Sequence, residues 1–243
     1  MGRVSIDVQI WSDIACPWCY IGKRRFERAL EGFEHRDEVR VTWRSYQLDP
    51  TLPQHDPRSE VEYLVQAKGL PRATVEQMVA HVGEQARGEG LEYNFDALVV
   101  ANSRRAHRVL QAAKAADAAD GDTRTGTLKE ALLAAHFVDG EDIGDVEVLT
   151  RLAAQAGIDQ AETRAAVDSA TLDDAVERDI REAGEIGVRG VPFFVFAGKY
   201  GVSGAQPPEV FSQALETVWS ERGQGLVTLE GADGESCGPE GCD

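Results

Sequence analysis

An alternating apolar run that leads into a pair of cysteines and then into a helical pattern most constrains the fold of this chain. Residues Val4 to Trp11 place apolar side chains at every second position, which predicts a strand with one buried face. The sequence Cys16-Pro17-Trp18-Cys19 follows after a short connector. From Pro17 onward, apolar residues recur on one side of a helix, and proline suits the first helical turn. The two cysteines therefore lie where a strand passes into a helix.

This position favours a reactive thiolate at Cys16. We predict that Cys16 stands at the N-cap of the helix, where unpaired N–H groups and the positive end of the helix dipole stabilise an anion. Lowering a cysteine pKa from ~8.5 to ~6.5 takes about 2.7 kcal/mol and raises the thiolate fraction at pH 7 from roughly 3% to roughly 75%. Cys19, one turn further, should point inward and serve as the resolving thiol.

Charge and cysteine placement argue against several function classes. The chain has 243 residues and a formal charge of -17, which argues against a nucleic-acid backbone or an anionic membrane surface as the main partner. No apolar run approaches the length of a membrane span, and the first strand begins almost at once, so we expect no secretory signal and predict a cytoplasmic protein. Four cysteines in a reducing compartment favour catalytic or metal-binding roles over structural ones.

The strand patterns fall at the two ends of the chain. Val39 to Tyr46 alternates again, so strand, helix and strand form a βαβ unit. The β signal returns only at Val191–Phe196 and Lys199–Ser203, which predicts a hairpin, followed by a closing helix at about Pro208–Arg222.

Helical patterns fill almost all of the sequence between these ends. Ser103, Asp159 and Thr171 precede periodic runs as candidate N-caps, and Gly69 and Gly121 lie where helices should stop. The last residues are rich in glycine, serine and acid, as in a mobile tail. The predicted parts are a discontinuous α/β domain (1–58 and 188–222), a helical insertion (59–187) and a tail (223–243).

Four stretches of the chain carry a resemblance to a known family. They read SDIACPWCYIGKRRFERAL, ANSRRAH, HFVDGEDIGD and GVRGVPFFVFAGKYGVSGAQ. Together they resemble the FrnE-like branch of the DsbA family of oxidoreductases, over about residues 4 to 222. The resemblance implies an α/β, thioredoxin-like fold with a large all-helical insertion. It also implies a thiol-disulfide oxidoreductase that needs no cofactor and acts on protein or low-molecular-weight thiols and disulfides.

The resemblance further implies that Pro192 is cis and lies beside the dithiol. The Val191 backbone would then pair with an extended substrate segment next to Cys16, and a metal would be excluded from the site. Cys16 would attack a substrate disulfide, and Cys19 would resolve the mixed disulfide. The alternative, that Pro192 only opens an edge strand, stays open.

Trp18 lies between the two cysteines, at a position that tunes the reduction potential. The Pro17-Trp18 pair is neither the usual thioredoxin pair nor the Pro-His pair of typical DsbA proteins. Trp18 adds no cation beside the thiolate, so we expect a less extreme oxidant than a typical DsbA protein. We also count Trp18 among the substrate-binding residues.

Three further residues are candidate accessory groups. Asp13, three residues before Cys16, either accepts the Cys19 proton during resolution or simply closes the turn before the helix. Asn102 and His107 match the Asn and His of the family's Asn-x-x-x-x-His segment and are candidate substrate-binding residues. In the alternative interpretations Asn102 caps the helix that follows it, and His107 is a packed residue.

Cys237 and Cys242 form a second pair in the predicted tail. A tethered dithiol has an effective concentration on the order of millimolar near a partner, so this pair would exchange with Cys16 without a diffusing substrate. Some members of the FrnE-like branch carry such a pair, which supports a second redox centre. The alternative is an incidental disulfide that closes a loop.

Two other function classes compete with a dithiol oxidoreductase. The same fold family contains glutathione-dependent isomerases and kappa-class transferases, which lack the resolving thiol and are therefore disfavoured by Cys19. Two cysteine pairs also suffice for a four-thiolate zinc site in a structural or chaperone-like module. The physiological substrate, the redox direction and the oligomeric state have no signal in the sequence.

Overall fold

A computed structural model describes residues 5–121, 123–222, 237–238 and 241–242. Its main sheet has the strand order β2-β1-β3-β4. The strands are β1 (Ile6–Ser12), β2 (Val39–Ser45), β3 (Phe193–Phe196) and β4 (Tyr200–Ser203). The helices are α1 (Pro17–Glu31), α2 (Glu60–Lys68), α3 (Arg72–Gly88), α4 (Arg104–Asp120), α5 (Arg124–Phe137), α6 (Val146–Gln155), α7 (Gln160–Ala166), α8 (Ala170–Glu185) and α9 (Pro208–Glu221).

The predicted βαβ unit opens the fold. β1 and β2 are parallel, with Val8 opposite Val41, and α1 is the crossover between them. β3 lies antiparallel on the other side of β1, with Val8 opposite Phe196, and the hairpin to β4 completes the sheet. The carboxyl ends of the parallel strands therefore share the sheet edge from which the chain enters the cysteine pair.

Alternation along β1 separates its two faces. Ile6, Val8 and Ile10 are at most 2% exposed and pack with residues of α1 and α9. An aromatic cluster fixes the two helices on this face of the sheet, because the Phe26 ring lies 5.6 Å from that of Phe194 and other rings pack around them.

Helices α2 to α8 lie between β2 and β3 in the sequence and build two cores of their own. One core is centred on α4, α5 and α6. The other joins Tyr20 and Ile21 of α1 to apolar residues of α3 and α5, so α1 packs on both the sheet and the inserted helices. The exact boundaries at 58/59 and 187/188 stay predictions.

The predicted helix ends agree with the structure except at α8. Asp159 is the N-cap of α7, and its side chain accepts two backbone N–H groups. Ser103 is in the N-cap position of α4, but its side chain makes no capping bond, and the Arg104 N–H is bound by Asn102 instead. Gly69 and Gly121 end α2 and α4 in the left-handed conformation. The prediction of Thr171 as an N-cap is wrong, because Ser169 accepts the Leu172 N–H and α8 begins two residues earlier than expected.

A buried carboxylate ties α8 to β2. The side chain of Asp179 is 3% exposed, and it accepts the Ser45 N–H at 2.9 Å. The same carboxylate binds Arg44 at 2.8 Å and Lys114 at 3.0 Å. These bonds give the Ser45 N–H a partner at the end of edge strand β2, and they place α4 and α8 against the sheet.

The predicted tail lies outside the described residues, apart from two short paired strands. These are β5 (Cys237–Gly238) and β6 (Gly241–Cys242), antiparallel and with Cys237 opposite Cys242. Within the part of the chain that the structure describes, no helix has the length and apolar character needed to cross a bilayer.

Candidate active site

Cys16 and Cys19 lie at the start of α1, as the sequence predicts. Cys16 is the N-cap residue, Pro17 is the first residue of the helix, and the Cys19 N–H donates to the Cys16 carbonyl at 3.0 Å. Both residues are free thiols, with 4% and 1% of their surfaces exposed. The Cys16 Sγ also donates to the carbonyl oxygen of Val191 at 3.5 Å. The first turn of α1 thus faces the segment that enters β3.

Val191 and Pro192 lie close to α1 at a position where the helix has a glycine. The Val191–Pro192 peptide bond is cis. A Cβ atom added to Gly22 would lie 2.8 Å from Cγ of Pro192, which is closer than real Cβ atoms come. Gly22 therefore permits the approach that sets Val191 beside Cys16.

The two thiols do not share charge equally. The hydrogen bond with Cys19 and burial raise the pKa of Cys16 well above its usual value, and the charge of Asp13 adds to this. Burial raises the pKa of Cys19, but the interaction with Cys16 and the charge of Lys129 outweigh it and lower that pKa. The two pKa values therefore shift in opposite directions, and the raised pKa of Cys16 differs from the lowered one expected at an N-cap.

Asp13 is buried in the turn before the dithiol, and both of its carboxylate oxygens have partners. Its Oδ1 accepts the Ala15 N–H at 3.3 Å and lies 3.1 Å from Nε2 of His107, while Oδ2 accepts the Leu48 N–H at 2.8 Å. Burial raises the pKa of Asp13, but the hydrogen bonds with His107 and with the Leu48 N–H outweigh it, so this pKa is lowered. The contact with Ala15 is the turn closure expected from the sequence, and the proton-acceptor role stays a prediction.

His107 is buried against Asp13. It is 1% exposed, and burial lowers its pKa despite the nearby carboxylate. This assigns a neutral imidazole that donates its Nε2 hydrogen to Asp13. Its predicted part in substrate binding stays a prediction.

Asn102 organises a loop. Its Oδ1 accepts the Arg104 N–H at 2.9 Å and an amide hydrogen of Gln47 at 2.6 Å, and its Nδ2 donates to the Leu52 carbonyl at 2.7 Å. The side chain thereby connects the start of α4 to the loop after β2. Its predicted part in substrate binding also stays a prediction.

Lys129 is a buried cation that the sequence interpretation missed. It lies on α5, is 1% exposed, and its Nζ is 5.7 Å from the centre of the Trp43 ring. Burial lowers its pKa to about 8, against the opposing effect of the charges at Cys19 and Asp13. Trp18 brings no cation to the dithiol, as expected, but Lys129 brings one from the inserted helices.

A cavity of about 450 Å³ opens beside Cys16. Cys16, Pro17 and Trp18 are among its lining residues, together with residues of α2 and α3 and of the loops on either side of them. Cys19 is not among them. His136 of α5 also lines the cavity. A substrate sulfur in the cavity therefore meets Cys16 first.

Comparison with known proteins covers nearly the whole chain. Residues 7–216 match the family described as "DSBA-like thioredoxin domain". The crystal structure of probable DsbA oxidoreductase SCO1869 from Streptomyces coelicolor superposes with a TM-score of 0.82 at 42% identity, covering 98% of each chain. The uncharacterized protein YwbO of Bacillus subtilis (strain 168) is 27% identical over 87% of this chain and 96% of its own length.

A more distant structure shares the fold. The cytosolic disulfide reductase DsbM from Pseudomonas aeruginosa superposes with a TM-score of 0.60 at 19% identity, over 88% of this chain and 98% of DsbM. The predicted thioredoxin-like fold of DsbA type is confirmed by the family match.

Proposed function

Because the chain belongs to the family of DSBA-like thioredoxin domains, we propose that it is a thiol-disulfide oxidoreductase with Cys16 as nucleophile and Cys19 as resolving thiol. The observation that carries this proposal is the unequal access to the two free thiols. Cys16 lines the cavity at the start of α1, whereas Cys19 is 1% exposed and lies one turn further into the helix. The narrower assignment to the FrnE-like branch and the cytoplasmic location stay predictions.

The reaction is a pair of thiolate exchanges. The Cys16 thiolate attacks one sulfur of a substrate disulfide, the substrate S–S bond breaks, and one half leaves as a thiolate. The Cys19 thiolate then attacks Cys16 Sγ, the mixed disulfide breaks, and the second half leaves. Two electrons pass from the dithiol to the substrate, and the enzyme is left with a Cys16–Cys19 disulfide. The reverse sequence oxidises a substrate dithiol.

Each of the two exchanges requires a different cysteine to be the thiolate. In the reduced pair, Cys16 must first lose its proton, and its thiolate then attacks an entering disulfide. Once Cys16 is in a mixed disulfide, Cys19 must be the anion. Lys129 favours that state, because its charge lowers the pKa of Cys19. We assign the substrate contacts at Cys16 to Trp18 and to the backbone around Val191.

The test is to trap the mixed disulfide in the full-length chain. Cys19→Ser should accumulate a mixed disulfide at Cys16, detected by mass spectrometry, whereas Cys16→Ser should accumulate none at Cys19. Both variants are made with Cys237→Ser and Cys242→Ser so that no other thiol competes. Absence of an adduct in the first variant contradicts the proposal. Full activity of Cys19→Ser with a requirement for glutathione would support the isomerase or transferase class instead.

We also propose that Cys237 and Cys242 exchange with the dithiol. The end of α9 lies at the far end of the sheet, since Arg222 Nη1 is 3.7 Å from Glu38 Oε2, just before β2 begins. The seven residues of β2 span roughly 23 Å. The steps from Arg222 to Cys237 span at most about 50 Å when extended, so the chain is long enough.

A trapped disulfide tests this exchange. In Cys19→Ser with the tail cysteines intact, we expect a disulfide from Cys16 to Cys237 or Cys242. Only a Cys237–Cys242 disulfide with Cys16 free would favour an incidental loop closure. One equivalent of zinc bound through all four thiols would favour the zinc-site class and contradict both redox proposals.

A further inference from the structure

The cavity beside Cys16 is lined by a buried side chain that the proposed reaction does not use. His136 is 2% exposed, and its Nδ1 has no hydrogen-bond partner among the described residues. Burial lowers the pKa of His136 to about 4. At neutral pH the imidazole is therefore uncharged, with one nitrogen that donates a hydrogen bond and one that accepts. A buried imidazole without hydrogen-bond partners costs stability, and a ligand group that meets the ring where it lines the cavity would supply one.

Most of the remaining lining is apolar. Trp18, Leu64 and Phe95 contribute to it. Leu48 and Met78 also line the cavity, with 51% and 38% of their surfaces exposed, although large apolar side chains are usually more covered. An apolar ligand would remove this surface from water, as apolar pockets with a few polar groups do.

The charged groups of the lining are mostly acidic. Asp13, Asp49, Glu60 and Lys68 all line the cavity. Hydrogen bonds from Thr51 lower the pKa of Asp49, so it is an anion at neutral pH like Asp13. Burial raises the pKa of Glu60 to about 7. One lysine faces this set, so the lining disfavours an anionic ligand.

We propose that this cavity binds a low-molecular-weight disulfide or thiol through its non-reacting part, an apolar and uncharged or cationic body whose hydroxyl or amide group hydrogen-bonds to His136. The inference rests on the proposed function and names the substrate class for Cys16. A volume of about 450 Å³ falls in the range of about 300–1,000 Å³ that holds a drug-sized molecule. Binding there brings a substrate sulfur to Cys16, where the first exchange forms the mixed disulfide and releases the other half as a thiolate.

Three symmetrical aromatic disulfides of one scaffold test the inference. They are diphenyl disulfide and its para-hydroxymethyl and para-carboxylate derivatives. The full-length chain with Cys19→Ser, Cys237→Ser and Cys242→Ser leaves Cys16 as the reacting thiol. The rate of mixed-disulfide formation is measured against probe concentration and divided by the rate of each probe with a small reference thiol. We expect saturation with the hydroxymethyl probe and the lowest normalised rate with the carboxylate.

His136→Phe separates the hydrogen bond from the apolar contacts. The variant keeps an aromatic ring at this position and removes the polar atoms. We expect it to weaken binding of the hydroxymethyl probe by about three- to tenfold, the worth of one ordinary hydrogen bond, and to leave binding of diphenyl disulfide unchanged. Equal effects on both probes, or none on either, overturn the assignment of His136.

Substituting a large side chain into the cavity gives a second test that does not depend on His136. Ala67 of α2 lines the cavity and is exposed, whereas Ala80 of α3 is exposed and lies outside the lining. Ala67→Trp should abolish saturation, and Ala80→Trp should preserve it. Linear concentration dependence in the parent protein, or equal loss in both tryptophan variants, contradicts the cavity site. If no disulfide reacts with Cys16 at all, the proposed function itself fails.

Discussion

His107 Nε2 lies 3.1 Å from Asp13 Oδ1, and each of these side chains is 1% exposed. The contact joins α4 of the inserted helices to the turn that precedes the dithiol. A carboxylate so deeply buried is stable as an anion only with partners that offset its lost hydration. The pair therefore sets both the charge under Cys16 and the position of the turn.

Removing the imidazole should destabilise the protein strongly. His107→Leu leaves the buried Asp13 carboxylate with only its backbone N–H partners, so we expect the free energy of unfolding at pH 7 to fall by about 2–3 kcal/mol. Urea denaturation measures it. His55→Leu is the matched control, because His55 also lies 2.9 Å from a carboxylate, that of Asp142, but is 60% exposed and should contribute at most about 1 kcal/mol. Similar losses in both variants would contradict the burial argument.

Asp13→Asn removes the negative charge at this position but keeps a side chain that can hold the turn. Asparagine retains an oxygen for the Ala15 or Leu48 N–H but has no charge. The negative charge of Asp13 contributes to the raised pKa of Cys16, after the hydrogen bond with Cys19 and burial. We therefore expect a lower pKa for Cys16, read from the pH dependence of its alkylation in Cys19→Ser. An unchanged or raised pKa would show that the charge does not act on this thiol.

Lys129→Met should make the dithiol a weaker oxidant. Lys129 lowers the pKa of Cys19, so its loss raises that pKa and destabilises the reduced form relative to the disulfide. The reduction potential, measured against a glutathione buffer, should become more negative by tens of millivolts, on the order expected for one thiolate-stabilising charge. Lys199→Met is the control, because Lys199 is 62% exposed and its Nζ binds Glu221 at 2.7 Å. A potential that stays within error of the control would remove Lys129 from the site.

Acid should weaken the fold through His136. Its folded pKa of about 4 lies below the unfolded value of about 6.5, so the unfolded state binds the proton first as the pH falls. Stability is therefore lost between about pH 6.5 and 4, by about 3 kcal/mol from this group. His136→Phe should flatten that part of the profile in urea unfolding. Parallel profiles for the two proteins would show that His136 is not buried as a neutral group.

Gly22→Ala tests the approach of α1 to Pro192. The added Cβ would meet Pro192 Cγ at 2.8 Å, so the two segments must separate. We expect a loss of about 1–3 kcal/mol in stability and a changed alkylation rate at Cys16. Gly184→Ala is the control, because nothing lies within 4 Å of its added Cβ, and a helical alanine there should be neutral or stabilising by up to about 1 kcal/mol. Equal behaviour of the two variants would contradict the close contact.

The sequence predicts the opening of the fold well because the signals are local. The alternation of β1, the position of Pro17 and the spacing of the cysteines place Cys16 at an N-cap, as observed. The inserted helices are also predicted from their periodicity. The wrong N-cap at Thr171 shows the limit of such signals, since Ser169 offers an equivalent side chain two positions earlier.

The side chains that surround the dithiol are harder to predict, because they come from segments distant in the sequence. Lys129 lies more than a hundred positions after Cys19, and no local pattern joins them. One signal was available. Lys129 and His136 are seven positions apart, which places both on the face of α5 that also carries Leu132. Two polar residues on an apolar helix face indicate groups that are buried for a reason other than packing.

The pairing of β1 with β3 also has a consequence for how the chain folds. Val8 meets Phe196 across a sequence separation of 188 residues, and closing so long a loop carries a large entropic cost before any contact repays it. At a synthesis rate of about 5–20 residues per second, β1 leaves the ribosome roughly 10–40 s before β3. Through that interval the side of β1 later covered by β3 is an open strand edge. We expect a nascent chain arrested before Phe193 to need chaperone protection that the finished protein does not.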